Sequence, residues 1–144
     1  MRFTLSEHDR AVLDAVAERL IPADDTGPGA REAKVVDYIE RSLADGYEEH
    51  RDTYTAGLAA LSREGFGELS PDGQDAILAE LERQGDAFFE LVRRHAIEGM
   101  FGDPAWGGNA DRIGWDLLGY PGPRHVWTEA EQELEVEHRV EGHR

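Results

Sequence analysis

The residues best suited to chemistry in this chain are a histidine and a glutamate three positions apart, His95 and Glu98. That spacing places both side chains on one face of a helix. An imidazole near a carboxylate could bind a metal or exchange protons, but either role needs further groups from other elements, and the sequence does not point to them. Two interpretations stay open. One is a stand-alone enzyme or metal-binding protein that uses this pair. The other, which we favour, is a histidine at the edge of the core, with Glu98 accepting backbone or tryptophan N–H hydrogen bonds.

Two further matches to chemical motifs are better explained by structure. Residues 25–27 read Asp-Thr-Gly, the triplet of aspartic proteases, whose catalysis requires a second, facing aspartate. Here a predicted helix precedes the triplet and Pro28 follows it, which favours a turn. Glu135 and His138 form one Glu-x-x-His pair, a spacing that di-iron bundles use twice on facing helices. A single copy on a polar tail favours incidental surface residues.

Composition excludes several classes of function. The chain has 144 residues, no cysteine and a formal net charge of −16, from 31 acidic and 15 basic residues. Thiolate catalysis and cysteine metal sites are therefore excluded, and the acidic surface predicts that neither nucleic acid nor an anionic membrane is a partner. The glycine-rich stretches 27–29 and 107–109 fit neither dinucleotide-binding nor P-loop spacing. No stretch approaches the roughly 20 apolar residues that cross a bilayer, so direct membrane insertion is not expected.

Apolar residues recur at helical spacing along most of the chain, and this pattern predicts an all-α fold. The expected helices are, in order, about 6–21, 30–45, 47–63, one that starts at Ser70-Pro71 and a central one that ends near 101. Ser6 and Ser70 are suitable N-caps. Period-two alternation is nowhere sustained, so no sheet is predicted. The sequence thus predicts a single domain over residues 1–127, a compact bundle of about five helices, followed by an acidic and mobile tail over 128–144.

Residues 102–127 are predicted to form a long loop rich in Gly and Pro, with at most one short helical turn near 113–118. Its large aromatic residues are Trp106, Trp115, Tyr120 and Trp127. Disordered segments are poor in aromatic residues, so this loop is expected to pack against something. Rigid aromatic side chains dominate protein interfaces. They could equally cover the core of the bundle itself, and composition leaves both roles open.

Two long segments resemble one protein family. Residues 21–30 (IPADDTGPGA), followed by 35–39 (VVDYI), resemble the N-terminal signature of the gluconate 2-dehydrogenase subunit 3 family. Residues 98–109 (EGMFGDPAWGGN) and 114–122 (GWDLLGYPG) resemble its second half in the same order. Residues that fit between them are Tyr54, Gly57, Leu58, Phe88 and Phe89. The resemblance covers roughly residues 6–123.

The resemblance implies a role for this chain and a chemistry for its partner. Family members are small subunits of bacterial dehydrogenases whose large subunit is a glucose-methanol-choline type flavoprotein that carries FAD and the catalytic histidine. Some complexes add a cytochrome c subunit. The partners oxidise gluconate, glucose, fructose or glycosides, and the small subunit is thought to stabilise the large one. Since no catalytic residue of the family lies in the small subunit, no catalytic, cofactor or metal residue is assigned here. A folding chaperone that later dissociates is the alternative to a permanent subunit.

Under this interpretation the 102–127 loop and the 22–30 turn are expected to wrap the flavoprotein near its substrate entrance. The residues predicted to bind it are Asp24, Asp25, Pro28, Phe101, Asp103, Trp106, Asn109, Trp115, Tyr120 and Trp127.

The resemblance also bears on location. Many members begin with a twin-arginine leader, whereas this chain starts at Met1 and turns acidic within a few residues. We expect a cytoplasmic protein if Met1 is the natural start, and a periplasmic one if such a leader has been removed. The first case makes a cytochrome partner less expected.

Overall fold

The computed structural model describes residues 2–119, and those residues form a bundle of α-helices. The helices are α1 Glu7–Leu20, α2 Val35–Ala44, α3 Arg51–Arg63, α4 Pro71–Gln84, α5 Ala87–Phe101 and α6 Ile113–Leu118. Short 3₁₀ turns lie at Glu48–His50, Phe66–Glu68, Pro104–Trp106 and Ala110–Arg112. This part of the chain contains no strand, so the predicted all-α fold is confirmed. None of its helices combines the length and the apolar composition needed to cross a bilayer.

The helix starts predicted at Ser6 and Ser70 are confirmed, and each is a side-chain cap. The Ser6 hydroxyl accepts a hydrogen bond from the Asp9 amide at 3.0 Å, and the Ser70 hydroxyl accepts one from the Gly73 amide at 3.2 Å. Each bond satisfies one of the four backbone N–H groups that a helix leaves unpaired at its start. Pro71 follows as the first helical residue, a position where no intrahelical N–H bond is lost.

Two helices begin later than predicted. Helix α2 starts at Val35 instead of near residue 30, because Lys34 has a left-handed backbone with φ 57°. A helix does not continue through a residue in that conformation, and apolar spacing gives no sign of it. The helix predicted over 47–63 likewise starts with a 3₁₀ turn, and its α-helical part begins only at Arg51.

Helix α5 is the centre of the bundle, as its apolar sequence predicted. It packs against α1, α2, α3, α4 and α6. The neighbouring helices contribute side chains that are fully buried, among them Leu13, Ile39 and Leu58. Burial of such apolar surface is the main stabilising term of the fold. The buried residues of α5 are therefore in contact with several other helices of the bundle.

The segment after α5 has more regular structure than the predicted loop. Between Gly102 and Gly119 it contains two 3₁₀ turns and α6, which confirms the short helical turn predicted near 113–118. Helix α6 packs against α5. The rest of the predicted loop, including Tyr120 and Trp127, and the predicted tail over 128–144 lie outside the described residues.

Helix α3 meets the ring of Phe88 at a glycine, and this contact can be tested. A Cβ at Gly57 would lie 2.2 Å from Cγ of that ring and 2.3 Å from Cδ1. Alanine favours a helix over glycine by about 1 kcal/mol. The overlap involves the body of a buried ring, so we expect Gly57→Ala to lower the free energy of unfolding by about 1–2 kcal/mol net. Urea denaturation followed by circular dichroism measures the change.

Gly67→Ala is the matched control, since a Cβ at Gly67 would meet no heavy atom within 4 Å. We expect its effect to stay within about 0.5 kcal/mol. Equal losses in the two variants would contradict the packing argument.

Candidate functional site

The 22–30 turn and the 102–119 segment are far apart in sequence but lie together in the structure. Just after the turn, the Ala33 carbonyl accepts a hydrogen bond from the Ala110 amide at 3.1 Å. A Cβ at Gly27 would lie 2.3 Å from a leucine methyl of α6, so the turn rests directly on that helix. The outer side of these two segments is called the signature surface below. It joins both halves of the family resemblance in one place.

Asn109 fixes the 102–119 segment from inside. Its side chain is fully buried. The amide group donates to the Gly102 carbonyl at 2.7 Å, while the side-chain oxygen accepts from the amides of Gly114 at 2.7 Å and Trp115 at 3.3 Å. The backbone of Asn109 has φ 48°, a conformation that asparagine adopts more readily than most residues. One side chain thus ties the end of α5 to the start of α6.

Trp115 also faces the core, with only 8% of the residue exposed. Its ring N–H donates to the Phe101 carbonyl at 2.7 Å. The preceding residue, Gly114, lies so close to α5 that a Cβ there would be 1.8 Å from the Met100 carbonyl oxygen. Of the two roles left open for the aromatic residues, Trp115 has the internal one. Asn109 and Trp115 therefore support the signature surface from within and do not present their side chains on it.

Three large apolar side chains of the same segment are exposed instead. Trp106 is 57% exposed, Leu117 40% and Leu118 63%. The guanidinium of Arg41 donates to the Ala105 carbonyl at 2.7 Å and so fixes the turn that carries Trp106. Sequence reasoning selected Trp106 but missed the two leucines. Their signal was an adjacent leucine pair just after a tryptophan in a segment otherwise rich in glycine.

Asp24 shapes the 22–30 turn. Its Oδ1 atom accepts hydrogen bonds from the Thr26 hydroxyl at 2.5 Å, the Thr26 amide at 2.8 Å and the Gly27 amide at 3.2 Å. These bonds, the one from the hydroxyl first, lower the pKa of Asp24. The interpretation of the Asp-Thr-Gly triplet as part of a turn is therefore confirmed. Asp25 is exposed and Pro28 half-buried, so both remain available to a partner.

Glu18 on α1 holds the two ends of the same turn together, a role that sequence reasoning missed. Its carboxylate accepts hydrogen bonds from the Ala23 amide at 2.9 Å and from the Arg31 amide at 3.0 Å. A glutamate in the last turns of an acidic helix has no distinguishing sequence pattern. Only the fold reveals that its two oxygens satisfy backbone N–H groups on both sides of the turn.

Asp103 and Phe101, the two remaining predicted residues that the structure describes, lie at the end of α5 and are half-buried. The Asp103 carboxylate accepts a hydrogen bond from the Ala105 amide at 2.9 Å and so caps the 3₁₀ turn that carries Trp106. Phe101 supplies the carbonyl that the Trp115 ring N–H binds. Both residues set the path of the chain into the signature surface.

His95 lies among aromatic rings in the middle of the bundle, more deeply buried than the core-edge position that we favoured. It is 1% exposed. Its Nδ1 atom lies 2.8 Å from the Tyr54 hydroxyl oxygen, and Tyr47 stacks on the imidazole with the ring centroids 4.5 Å apart. Burial lowers the pKa of His95 to about 4, so the ring is neutral at pH 7. Its Nε2 atom has no hydrogen-bond partner among residues 2–119.

Glu98 accepts hydrogen bonds from two tyrosines. The hydroxyls of Tyr38 and Tyr47 both donate to its Oε1 atom at 2.8 Å. Burial first, and then the bond to Glu98, raises the pKa of Tyr38; for Tyr47 the bond to Glu98 is the larger cause of a raised pKa. The predicted role of Glu98 as an acceptor is confirmed, but the donors are O–H groups instead of backbone or tryptophan N–H groups. Glu98 thereby fastens α2 and the chain before α3 to α5.

The structure gives the His95–Glu98 pair no wider set of metal ligands in the region it describes. Within residues 2–119 no group of three or more His, Cys, Asp or Glu side chains is arranged to hold a metal ion. The two residues form hydrogen bonds with different partners. Tyr47 contacts both, since its hydroxyl binds Glu98 and its ring stacks on His95. Glu135 and His138 lie outside the described residues.

A comparison with known protein families now decides the family. The model described as gluconate 2-dehydrogenase subunit 3 matches residues 7–122. The chain belongs to this family. Membership in the gluconate 2-dehydrogenase subunit 3 family implies a subunit of a multi-subunit dehydrogenase. Comparisons with curated proteins and with solved structures gave no match.

For this member of the gluconate 2-dehydrogenase subunit 3 family, Asn109→Ala tests the internal support of the signature surface. The change leaves the Gly102 carbonyl and the Gly114 and Trp115 amides without their side-chain partner. Unsatisfied buried groups cost about 1–3 kcal/mol each before relaxation, so we expect a loss of about 3 kcal/mol in the free energy of unfolding. Chemical denaturation measures it. Asp116→Asn, an exposed change on α6, is the control, and a comparable loss there would contradict the assigned role.

The buried imidazole predicts how stability depends on pH. The pKa of His95 is about 4 in the folded chain and 6.5 for an ordinary histidine, so the unfolded chain takes up a proton first as the pH falls. This contribution to stability is complete above pH 6.5 and is lost as the pH falls toward 4. Between pH 7 and pH 5 it amounts to about 2 kcal/mol. Urea midpoints at both pH values should show that His95→Phe removes this part of the pH dependence. An unchanged dependence in the variant would argue against the buried neutral ring.

Proposed function

We propose that this chain is a non-catalytic small subunit that binds and stabilises a larger dehydrogenase of the glucose-methanol-choline type. The partner carries FAD and oxidises a sugar, a sugar acid or a glycoside, and the chain described here holds no cofactor of its own. The observation that carries the proposal is the meeting of the two signature segments in one surface. The segments typical of this subunit family form one surface. Because subunits have assembly in common, such a surface is suited to binding another subunit.

The exposed side chains support the same function. Trp106, Leu117 and Leu118 leave apolar surface in water within thirteen residues of chain. Burial of such surface against another protein is favourable by roughly 25 cal/mol per Å². Tryptophan is also among the residues that contribute most to interface affinity.

The groups capable of chemistry support a non-catalytic role. His95 is buried and neutral at pH 7, and Glu98 has its Oε1 atom occupied by two tyrosine hydroxyls. Both therefore have structural partners inside the bundle. Oxidation of a sugar also requires an electron acceptor, which FAD in the partner supplies. Substrate specificity accordingly belongs to the partner.

The test is binding to a candidate partner, a glucose-methanol-choline type flavoprotein from the same organism. Trp106→Ala and Leu118→Ala each remove an exposed side chain, so the fold should be unchanged by circular dichroism. We expect each to weaken binding at least ten-fold, which corresponds to about 1.4 kcal/mol or more. Isothermal titration calorimetry measures the dissociation constant, and thermal unfolding of the flavoprotein with and without the subunit measures stabilisation. Trp115→Ala is unsuitable because it would open a cavity in the core.

Leu69→Ala is the matched control, since Leu69 is also an exposed leucine but precedes α4, outside the signature segments. Its effect on binding should stay within about two-fold. Full binding by the Trp106 and Leu118 variants would remove the signature surface from the interface. A purified chain that carries stoichiometric metal or a flavin absorbance spectrum would favour a stand-alone enzyme. A subunit that dissociates once the flavoprotein has folded would indicate a chaperone.

A further inference from the structure

A concave surface lies near the start of α5, away from the signature surface. A cavity of about 220 Å³ opens between α3 and α4 where α5 begins. Its apolar lining comes from Leu61, Ile77, Leu81 and Phe88. We call this feature the α3–α4 groove. It offers room for a large apolar side chain from outside the fold.

Among residues 2–119, the charged residues that line the α3–α4 groove are all acidic. These residues are Glu64, Glu80 and Asp86. Glu80 also pairs with Arg83 on the same helix, and the Asp86 carboxylate caps α5 by accepting from the Phe89 amide at 2.9 Å. An apolar floor with an acidic rim is complementary to an apolar side chain that has lysine or arginine beside it.

The shape of the groove depends on the glycine contact described above. Phe88 packs directly on Gly57, so the ring lies flush against α3 and forms part of the floor. Ala60, about one turn further along α3, is exposed, and its small side chain leaves the α3 side of the groove open. Both residues keep open a space that larger side chains would fill.

The groove and the signature surface lie at opposite ends of α5. Phe88 is on the first turn of that helix, and Met100, whose carbonyl lies against Gly114, is on its last. Twelve positions of helix correspond to about 18 Å. An ordinary interface covers roughly 800 Å² of each partner, so one partner is large enough to reach both the signature surface and the groove.

We propose that the α3–α4 groove binds a segment of the partner dehydrogenase in which an apolar side chain is flanked by lysine or arginine. This inference rests on the proposed function. The acidic segment 128–144 of this chain has six glutamates against two arginines, so its charge is wrong for the rim. A second copy of the chain, with net charge −16, is disfavoured for the same reason. The partner therefore engages the subunit at two places, by a face at the signature surface and by a basic arm in the groove.

Two variants of the full-length chain test the groove in the complex with the flavoprotein. Ala60→Trp fills it without a change of charge, and the double variant Glu64→Lys, Glu80→Lys reverses its rim. The control is Glu49→Lys, Asp52→Lys, which changes the net charge equally at exposed positions where α3 begins. Circular dichroism first establishes that each variant is folded. Calorimetry at low and high salt then gives the dissociation constants.

We expect both groove variants to weaken binding at least ten-fold, and the rim variant also to reduce the dependence of affinity on salt. The control should change affinity by less than about three-fold. A photo-crosslinking residue at position 60 should form its adduct with a lysine- or arginine-rich segment of the flavoprotein.

If the wild-type chain binds the flavoprotein and the groove variants bind as well as the control, the groove inference is overturned and the proposed function stands. An adduct with residues 128–144 of the same chain, or with a second copy, also overturns it. If the wild-type chain does not bind the flavoprotein, the proposed function fails and the groove inference fails with it.

Discussion

The close approach of the 102–119 segment to the end of α5 is the constraint on which the signature surface depends. Two glycines permit it. A Cβ at Gly108 would lie 2.2 Å from the Gly99 carbonyl oxygen, and one at Gly114 would lie 1.8 Å from the Met100 carbonyl oxygen. Backbone packs directly on backbone at these two points, so any side chain larger than that of glycine would collide with α5. Asn109 then satisfies the groups that this contact buries, and Trp115 closes the edge.

A second network holds the rest of the bundle to the same helix. Glu98 binds the hydroxyls of Tyr38 and Tyr47, and His95 binds Tyr54, so three elements are joined to α5 by hydrogen bonds. Buried polar groups specify one arrangement when they are satisfied, as Glu98 Oε1 and His95 Nδ1 are here. The Nε2 atom of His95 has no partner among residues 2–119. His95 and Glu98, the residues that the sequence marks as best suited to chemistry, therefore act as structural links between helices. This explains how a histidine and a glutamate can lie on one helix face and serve the packing of the bundle.

Sequence reasoning succeeded where the deciding interactions are local. Ser6 and Ser70 begin helices because each side chain reaches an amide three residues ahead, and the apolar run of α5 places it at the centre. It failed where the deciding interactions join distant elements. The left-handed Lys34, the tyrosines around Glu98 and the brace by Glu18 depend on neighbours that spacing alone does not identify. Likewise, composition could not separate Trp106 from Trp115. Only the fold shows that the Trp115 ring N–H reaches the Phe101 carbonyl, while Trp106 is more than half exposed.

The two glycine contacts have a consequence for how substitutions spread through the complex. The side chains of Leu117 and Trp106, which we propose for assembly, pack only in part against this chain, at Gly27 and Gly102. Their positions depend on the seam where the backbone at Gly108 and Gly114 lies against α5. A change inside that seam would thus move Leu117 and Leu118 together and act as an assembly defect, although it alters no atom at the surface. In such a variant, weaker association would result from a displaced backbone inside the subunit.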